Sequence, residues 1–296
     1  MKRKALIDLD LLLYRSGFAS QSTLLYVYEV GNEEFGWMAA LKNKTEFKKW
    51  KEFHPGEYVV EEVTEAEPIQ NYIAIMKATV KSILFMTGSD SYIGYLTGPN
   101  NYRHEVATLQ KYKGNRDNAR KPERYEEAKQ YLIDHMDAVV CEDYEADDGM
   151  SMEQWGEWDK RMYTERENTP TVICTADKDL DMVPGFHYNW IKKELYFVEE
   201  DEGMRFFFKQ VLTGDSTDNI PGLFRCTGQR ALKRIVAKLD DHHTWNDMNA
   251  YVRSVYTMYF MNDYTDRADM IKLDSIVDEI MRLLWMSRSK IDDCPV

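Results

Sequence analysis

Eight carboxylates in this chain stand where an apolar run stops or a helical pattern starts, and their spacing could hold metal. Asp8 follows Ala5-Leu6-Ile7, and Asp10 shares its side if the extended period of two continues. Glu145, Asp147 and Asp148 follow Asp137-Ala138-Val139-Val140-Cys141 and precede Met150, Trp155, Trp158 and Met162 at helical spacing. Asp177 and Asp179 follow Thr171-Val172-Ile173-Cys174-Thr175, and Asp215 and Asp218 lie three apart in a Gly-bounded loop, Gly214 to Gly222. Crowded acids do not all stay ionised, and a helix N-terminus offers only about half a charge. Two divalent cations would offset four charges, and oxygen-only ligation selects Mg²⁺, with Mn²⁺ as a substitute, over zinc. Two such ions about 4 Å apart serve in-line attack of water on a phosphodiester. Pro184-Gly185 and the lack of a twelfth-position Glu argue against a calcium loop starting at Asp177.

Basic residues are concentrated in two places. The net charge is −13, yet residues 111–124 hold six basic residues against two acidic, and residues 223–238 hold five basic residues and no acid. Two basic islands in an acidic chain can track phosphates while carboxylates elsewhere hold metal. The first island includes Tyr112-Lys113-Gly114-Asn115-Arg116, Arg120 and Lys121, in a Gly-, Asn- and Pro-containing segment free to reach a ligand. In the second, Thr227-Gly228-Gln229-Arg230 reads as a turn before a helix, a sequence-independent phosphate grip.

The elements that must position these residues are strands ending in acids, separated by helices. That order predicts an α/β fold whose parallel strands share one C-terminal edge. Helices are expected from Pro68 to Gly88 and over 124–136, and amphipathic helices from Asp240 onward. Residues 187–208 predict a hairpin with Gly203 as a turn, and residues 23–53 a peripheral hairpin and short helix in which no chemistry is read. Composition is globular, 44% hydrophobic and 13% aromatic. The four Cys and six His show no metal or disulfide spacing. No run reaches the roughly 18 apolar residues of a membrane span, and the N-terminus leads straight into a strand, so a cytoplasmic protein with no membrane partner is expected.

Taken in order, Asp8, Tyr112-Lys113-Gly114-Asn115-Arg116, Glu145-Ala146-Asp147-Asp148, Thr175-Ala176-Asp177-Lys178-Asp179 and Gly214-Asp215-Ser216-Thr217-Asp218-Asn219-Ile220-Pro221-Gly222 resemble the motifs of the structure-specific 5′-nucleases. That group includes flap endonucleases, the 5′-nuclease domains of bacterial DNA polymerases and phage 5′-to-3′ exonucleases, and the compact length looks most like the phage members. The resemblance spans residues 5–238. It implies a PIN-like nuclease fold: a central, mostly parallel sheet flanked by helices, with a helical arch and a C-terminal helix-hairpin-helix region. Residues 1–212 would be the core, with the arch segment at 111–136, and residues 213–296 the DNA-binding region and C-terminal helices.

The resemblance also implies roles. Asp8, Glu145 and Asp147 would hold a first ion and Asp177, Asp179, Asp215 and Asp218 a second, with Asp148 near the boundary. Lys113 and Arg116 would neutralise charge developing on the scissile phosphate. Tyr112 would stack on a terminal base, and Arg120, Lys121, Arg225, Gly228, Arg230 and Lys233 would contact DNA. A K⁺ in the helix-hairpin-helix, a monomeric state, 5′ ends, flaps or junctions of DNA as partner and an RNA–DNA hybrid as a further one belong to the same reading. So does a place in phage DNA replication or recombination, in the host cytoplasm.

The sequence departs from the family twice. Alignment on Arg103 places Gly98 where the family has an Asp ligand, leaving Asp10, Asn100 or water to substitute, and the turn from Gly222 to Gly228 is longer than usual. Gly98 motivates a rival reading, a nuclease-fold scaffold that binds branched DNA without cutting it. A haloacid-dehalogenase-like phosphatase is suggested by Asp8-Leu9-Asp10 and Gly214-Asp215, but Leu11-Leu12 follows where that family has Gly-Thr or Gly-Val.

Overall fold

The computed structural model describes residues 3–116, 119–160, 169–260, 267–290 and 294–296, and among these the side chains of all but 224–226 and 267–271. In chain order the elements are β1 (Arg3–Asp8), α1 (Leu9–Ala19), β2 (Gln21–Glu29), β3 (Ala39–Leu41), α2 (Lys44–Phe53), β4 (Tyr58–Ala66) and α3 (Ile69–Thr87). Next come β5 (Ser89–Thr97), α4 (Arg103–Val106), α5 (Tyr125–His135), β6 (Ala138–Cys141), α6 (Ala146–Asp159) and β7 (Thr171–Cys174). The chain closes with β8 (Gly185–Asn189), β9 (Glu194–Val198), α7 (Glu200–Thr213), α8 (Phe224–Ala237), α9 (Trp245–Phe260) and α10 (Arg267–Leu284). It divides into two compact units, one of residues 1–11, 81–119 and 133–296, the other of residues 12–80 and 120–132.

The first unit is built on a six-stranded sheet in the order β6-β5-β1-β7-β8-β9. Every pairing is parallel except that of β9 with β8. Strands that are apolar on both faces cannot leave either in water, so they lie parallel under covering helices. Leu6 sits between Ile93 and Ile173 in register, and Leu6 and Ile173 are fully buried. Behind the sheet, Phe207 and Phe208 of α7 meet Trp245 with ring centroids 5.4 and 4.7 Å apart, and Phe207 meets Trp285 at 5.2 Å. Residues after 212 therefore share one hydrophobic core with the sheet.

Two local expectations are corrected. The β8–β9 hairpin turns at residues 190–193, and Gly203 lies inside α7 instead of in a turn. A Cβ there would come within 2.6 Å of the Met182 carbonyl oxygen, so Gly203 allows α7 to approach the 3₁₀ turn Lys178–Met182. Asp8 ends β1 as expected, but the extended period does not continue to Asp10, which lies in the first turn of α1, because Asp8 Oδ1 accepts the Leu11 amide at 2.9 Å and starts that helix.

The second unit contains an antiparallel sheet, β3-β2-β4, with α2 between β3 and β4. Strand β4 was not expected. Tyr72 donates its hydroxyl to the Leu13 carbonyl at 2.6 Å, and a Cβ on Gly17 would lie 2.5 Å from Pro122 and from Tyr72.

Candidate metal centre

In an open parallel sheet, sites form at the carboxyl edge where successive connections run in opposite directions. Here β1 leads to β5 and β6 on one side, and the chain returns to β7 on the other. Asp8 and the loop after β7 therefore flank the point of reversal. Thr175 joins them: its hydroxyl donates to Asp8 Oδ2 at 2.8 Å and accepts the Asp177 amide at 3.0 Å. Asp177 in turn caps the following 3₁₀ turn by accepting the Asp179 amide at 2.9 Å.

These acids feel one another. Burial, then the charge of Asp10, push the Asp8 carboxyl up to about 7 against the hydrogen bonds from Leu11 and Thr175. Burial and the charges of Asp8, Asp177 and Glu145 drive Asp147 well above the usual carboxylate range, opposed by Lys113. Asp10 also accepts the Thr97 amide at 3.0 Å, tying the end of β5 to the first turn of α1.

A second group surrounds Lys113, whose backbone is left-handed at φ 53° and donates its amide to the Asp218 carbonyl at 2.9 Å. Its ammonium lies 2.5 Å from Glu145 and 3.7 Å from Asp218; although burial opposes it, these two carboxylates raise its pKa and keep it charged. Arg116 reaches Asp218 at 2.5 Å. Glu145 further accepts from Asn101 at 2.7 Å. Tyr112, expected to stack on a base, is instead 3% exposed, and its hydroxyl points to Glu145 at 3.1 Å and Asp218 at 2.9 Å. A buried ring cannot offer its face to a ligand, so Tyr112 positions carboxylates.

The third group is Asp179 and Asp215. Burial and the Asp177 charge push Asp179 up to about 7, against Lys178 at 2.9 Å. Gln210 donates to Asp179 at 2.6 Å. Asp215 is lowered: burial opposes this, but hydrogen bonds from Asp179 and the Thr217 amide, with Lys178 at 3.7 Å, outweigh it.

Asp148 is engaged by Arg103, which also lies 3.9 Å from Glu145. Fully buried, Asp148 accepts from Arg103 at 2.5 and 2.9 Å and from the Ser287 and Glu145 amides at 3.0 and 3.1 Å. With both oxygens so engaged, the expected metal-boundary residue is a structural anchor. Arg103, itself 1% exposed, also donates to the Leu283 and Trp285 carbonyls at 3.0 and 2.6 Å. Buried guanidinium and carboxylate compensate each other's desolvation, and together they fix the start of α6. Gly98 is equally constrained: a Cβ would lie 2.3 Å from the Cys141 carbonyl oxygen, so no side chain fits there.

In the second basic island α8 bends at Gly228, whose φ of 69° is non-helical, as the expected turn requires. Arg230, Lys233, Arg234 and Lys238 beyond it are exposed, and no ion pair engages them among the described residues. Arg225 is also expected to contact DNA, but its side chain lies outside the described residues. Arg120 and Lys121 belong to the second unit, where Arg120 pairs with Glu62 and donates to Thr64 at 2.5 Å, and Lys121 pairs with Glu126 at 2.7 Å.

Among the described residues no three candidate ligands converge on one point as they stand. Divalent cations nonetheless fit this donor set. It is all oxygen, and Asp8, Asp147 and Asp179 are held in or near the neutral form chiefly by burial and each other's charge, a cost a cation relieves. Arg103, Asn101, Thr175, Lys178 and Gln210 were not assigned roles from sequence. Thr175 and Lys178 lie within the motif around Asp177 and Asp179, and Arg103 is the residue on which the family alignment rests; Asn101 and Gln210 carried no local signal.

No protein-family model matches the chain, and no curated protein matches it. Among solved structures, a bacteriophage T5 protein co-crystallised with metal ions is similar at 14% identity and a TM-score of 0.43, covering 95% of this chain and 100% of that one. A bacteriophage T5 flap endonuclease in a pseudo-enzyme-product complex with DNA and metal ions is similar at 14% identity and 0.43, over 95% and 99%. A bacteriophage T5 5′-exonuclease variant is similar at 13% and 0.42, over 95% and 100%. Likeness at this level gives no residue a role.

Proposed function

We propose that this chain is a metal-dependent 5′-nuclease, cutting DNA phosphodiesters at 5′ ends, flaps or junctions. The observation that carries the reading is the gathering of Asp8, Glu145, Asp147, Asp177, Asp179, Asp215 and Asp218 into one unit with Lys113 and Arg116, at the edge where β1 and β7 part. Mg²⁺, two ions in this reading, supplies Lewis-acid charge and an activated water when bound. Asp8, Glu145 and Asp147 would hold one ion and Asp177, Asp179, Asp215 and Asp218 the other, with Asp10, which accepts the Thr97 amide, to take the place Gly98 cannot fill.

The chain's own groups do the rest. Thr175 fixes one oxygen of Asp8, Gln210 orients Asp179, and Asn101 and Tyr112 orient Glu145. Lys113 stays protonated, so it can meet a phosphate with its charge intact, and Arg116 stands beside it on Asp218. Arg230 and Lys233, beyond the Gly228 turn, would grip duplex backbone.

The test incubates the protein with 5′-flap, blunt duplex and single-stranded DNA and an RNA–DNA hybrid, with Mg²⁺, with Mn²⁺ and with EDTA. Cation-dependent release of 5′ fragments is expected. Tight binding of branched DNA with no cleavage under any cation would replace this reading with a non-cutting scaffold, which the closed position at Gly98 favours.

A further inference from the structure

The segment that carries Tyr112 and Lys113 is fastened on two sides, and one fastener belongs to α10, a helix given no chemistry by the sequence. Glu279, half-buried on α10, uses both carboxylate oxygens: Oε1 accepts the Thr108 and Leu109 amides, each at 2.7 Å, and Oε2 accepts the Thr108 hydroxyl. One helical turn further along, the Leu283 carbonyl accepts from Arg103 at 3.0 Å, and the Trp285 carbonyl accepts from the same guanidinium at 2.6 Å. Residues 103–109 are therefore tied to α10 at both ends. Thr108 and Leu109 are exposed, so hydrogen bonds and not burial set the path of the chain there.

Four residues beyond Leu109 the backbone of Lys113 is left-handed, with φ 53°. A residue with a Cβ keeps that conformation only where its surroundings impose it. On one side the imposing contacts come from the 215–219 loop: the Lys113 amide donates to the Asp218 carbonyl at 2.9 Å, Asn219 to the Lys111 carbonyl at 2.9 Å, and Asn115 to the Ser216 carbonyl at 2.8 Å. Glu279 supplies the hold upstream. With that hold released, the strained turn can relax toward Thr108, and the Lys113 ammonium, 2.5 Å from Glu145, loses its aim.

We infer that Glu279 is a positioning residue, fixing Lys113 where its ammonium can meet a phosphate, although its own hydrogen bonds go to Thr108 and Leu109. The inference rests on the proposed function for what Lys113 does, and not for the hold itself. Its test has two arms, both on the full chain. In EDTA, amide hydrogen exchange is resolved by residue. Glu279→Ala should speed exchange at Thr108 and Leu109, and also at Lys113, Gly114 and Arg116, whose acceptors are the Asp218, Lys111 and Lys113 carbonyls. With Mg²⁺, single-turnover cleavage of 5′-flap DNA should slow about tenfold or more, while flap affinity in EDTA changes by less than about twofold. Alanine is a good helix former, so α10 should persist. Glu279→Gln keeps an oxygen for both amides and should regain most of the rate. Thr108→Val, which removes the hydroxyl bond alone, should slow cleavage about threefold and speed the same exchange, which keeps the test decisive if Glu279→Ala does not fold. Combined with Lys113→Ala, Glu279→Ala should add little further loss, because both act through one ammonium. Unchanged exchange at Lys113, Gly114 and Arg116 would overturn the inference. So would rate losses that multiply in the double variant, or a glutamine variant as slow as the alanine one. A parent chain that cuts nothing with Mg²⁺ would remove the nuclease reading, and the exchange arm would then decide the hold by itself.

Discussion

At Asp8 one carboxylate serves two ends. It caps α1 through the Leu11 amide, and it sits buried near Asp10, Asp147 and Asp177. Its pKa is raised from 3.8 to about 7, so its proton is held in the folded state after the unfolded chain has lost it. That contribution to stability is fully present below about 4, declines as pH rises, and is gone above about 7. Asp179 acts in the same direction over the same window. In EDTA the protein should therefore melt at a lower temperature at pH 8 than at pH 5, and Mg²⁺ should restore more at pH 8 than at pH 5. Asp8→Asn keeps the cap acceptor but removes the charge, so it should raise the melting temperature at pH 8 in EDTA while abolishing cleavage; a lower melting temperature there would contradict the account. Asp177→Ala should slow cleavage at saturating Mg²⁺ by about a hundredfold or more, a few kcal/mol of transition-state stabilisation, and a loss under tenfold would count against Asp177 as a ligand. For Lys113→Ala, single-turnover rates should fall while flap-DNA affinity is largely kept; the reverse would assign Lys113 to binding alone.

At the scale of elements, the parallel sheet was legible because its strands are continuous apolar runs ending in acids, a pattern with few folded solutions. Helix α3 was legible from its apolar stripe and from Gly88. Strand β4 was not, because Tyr58–Ala66 is mostly exposed and rich in glutamate, which hides any alternation of faces. Gly203 misled for a physical reason: a close approach between α7 and Met182 calls for the same residue as a turn. Arg103 was legible as the arginine on which the family motif aligns, but not as a buried anchor, because its partners Asp148, Leu283 and Trp285 are distant in sequence. The ends of β5 and β6 show why Gly98 is not simply a lost ligand. Gly98 donates its amide to the Cys141 carbonyl at 2.8 Å, and a Cβ would press on that same oxygen. Gly98→Asp should therefore destabilise the protein by about 1–3 kcal/mol in urea denaturation and gain no Mg²⁺ affinity by calorimetry. Tighter binding in that variant would show that the strand ends yield enough to admit a family-like ligand.

For the whole molecule, the sum of charge and its distribution point to different partners. A net −13 repels nucleic acid at long range, so binding must come from places where positive charge is not already spent on the protein's own acids. Lys113 and Arg116 are spent in this sense, being paired with Glu145 and Asp218. They would release few counterions when a phosphate arrives, and under the proposed function their contribution belongs to the chemical step. Arg230, Lys233 and Arg234 are exposed and unpaired among the described residues, on a helix redirected by the left-handed backbone of Gly228. They should carry most of the salt dependence toward duplex DNA. Replacing all three with alanine should flatten the slope of log K against log salt for a blunt duplex by about 3, at roughly 0.9 per phosphate contact. The rate constant for cleavage of fully bound substrate should change little. A variant with the parent's slope but a slower bound-state rate would reverse the division of labour, moving the second basic island into the reaction and the first into binding.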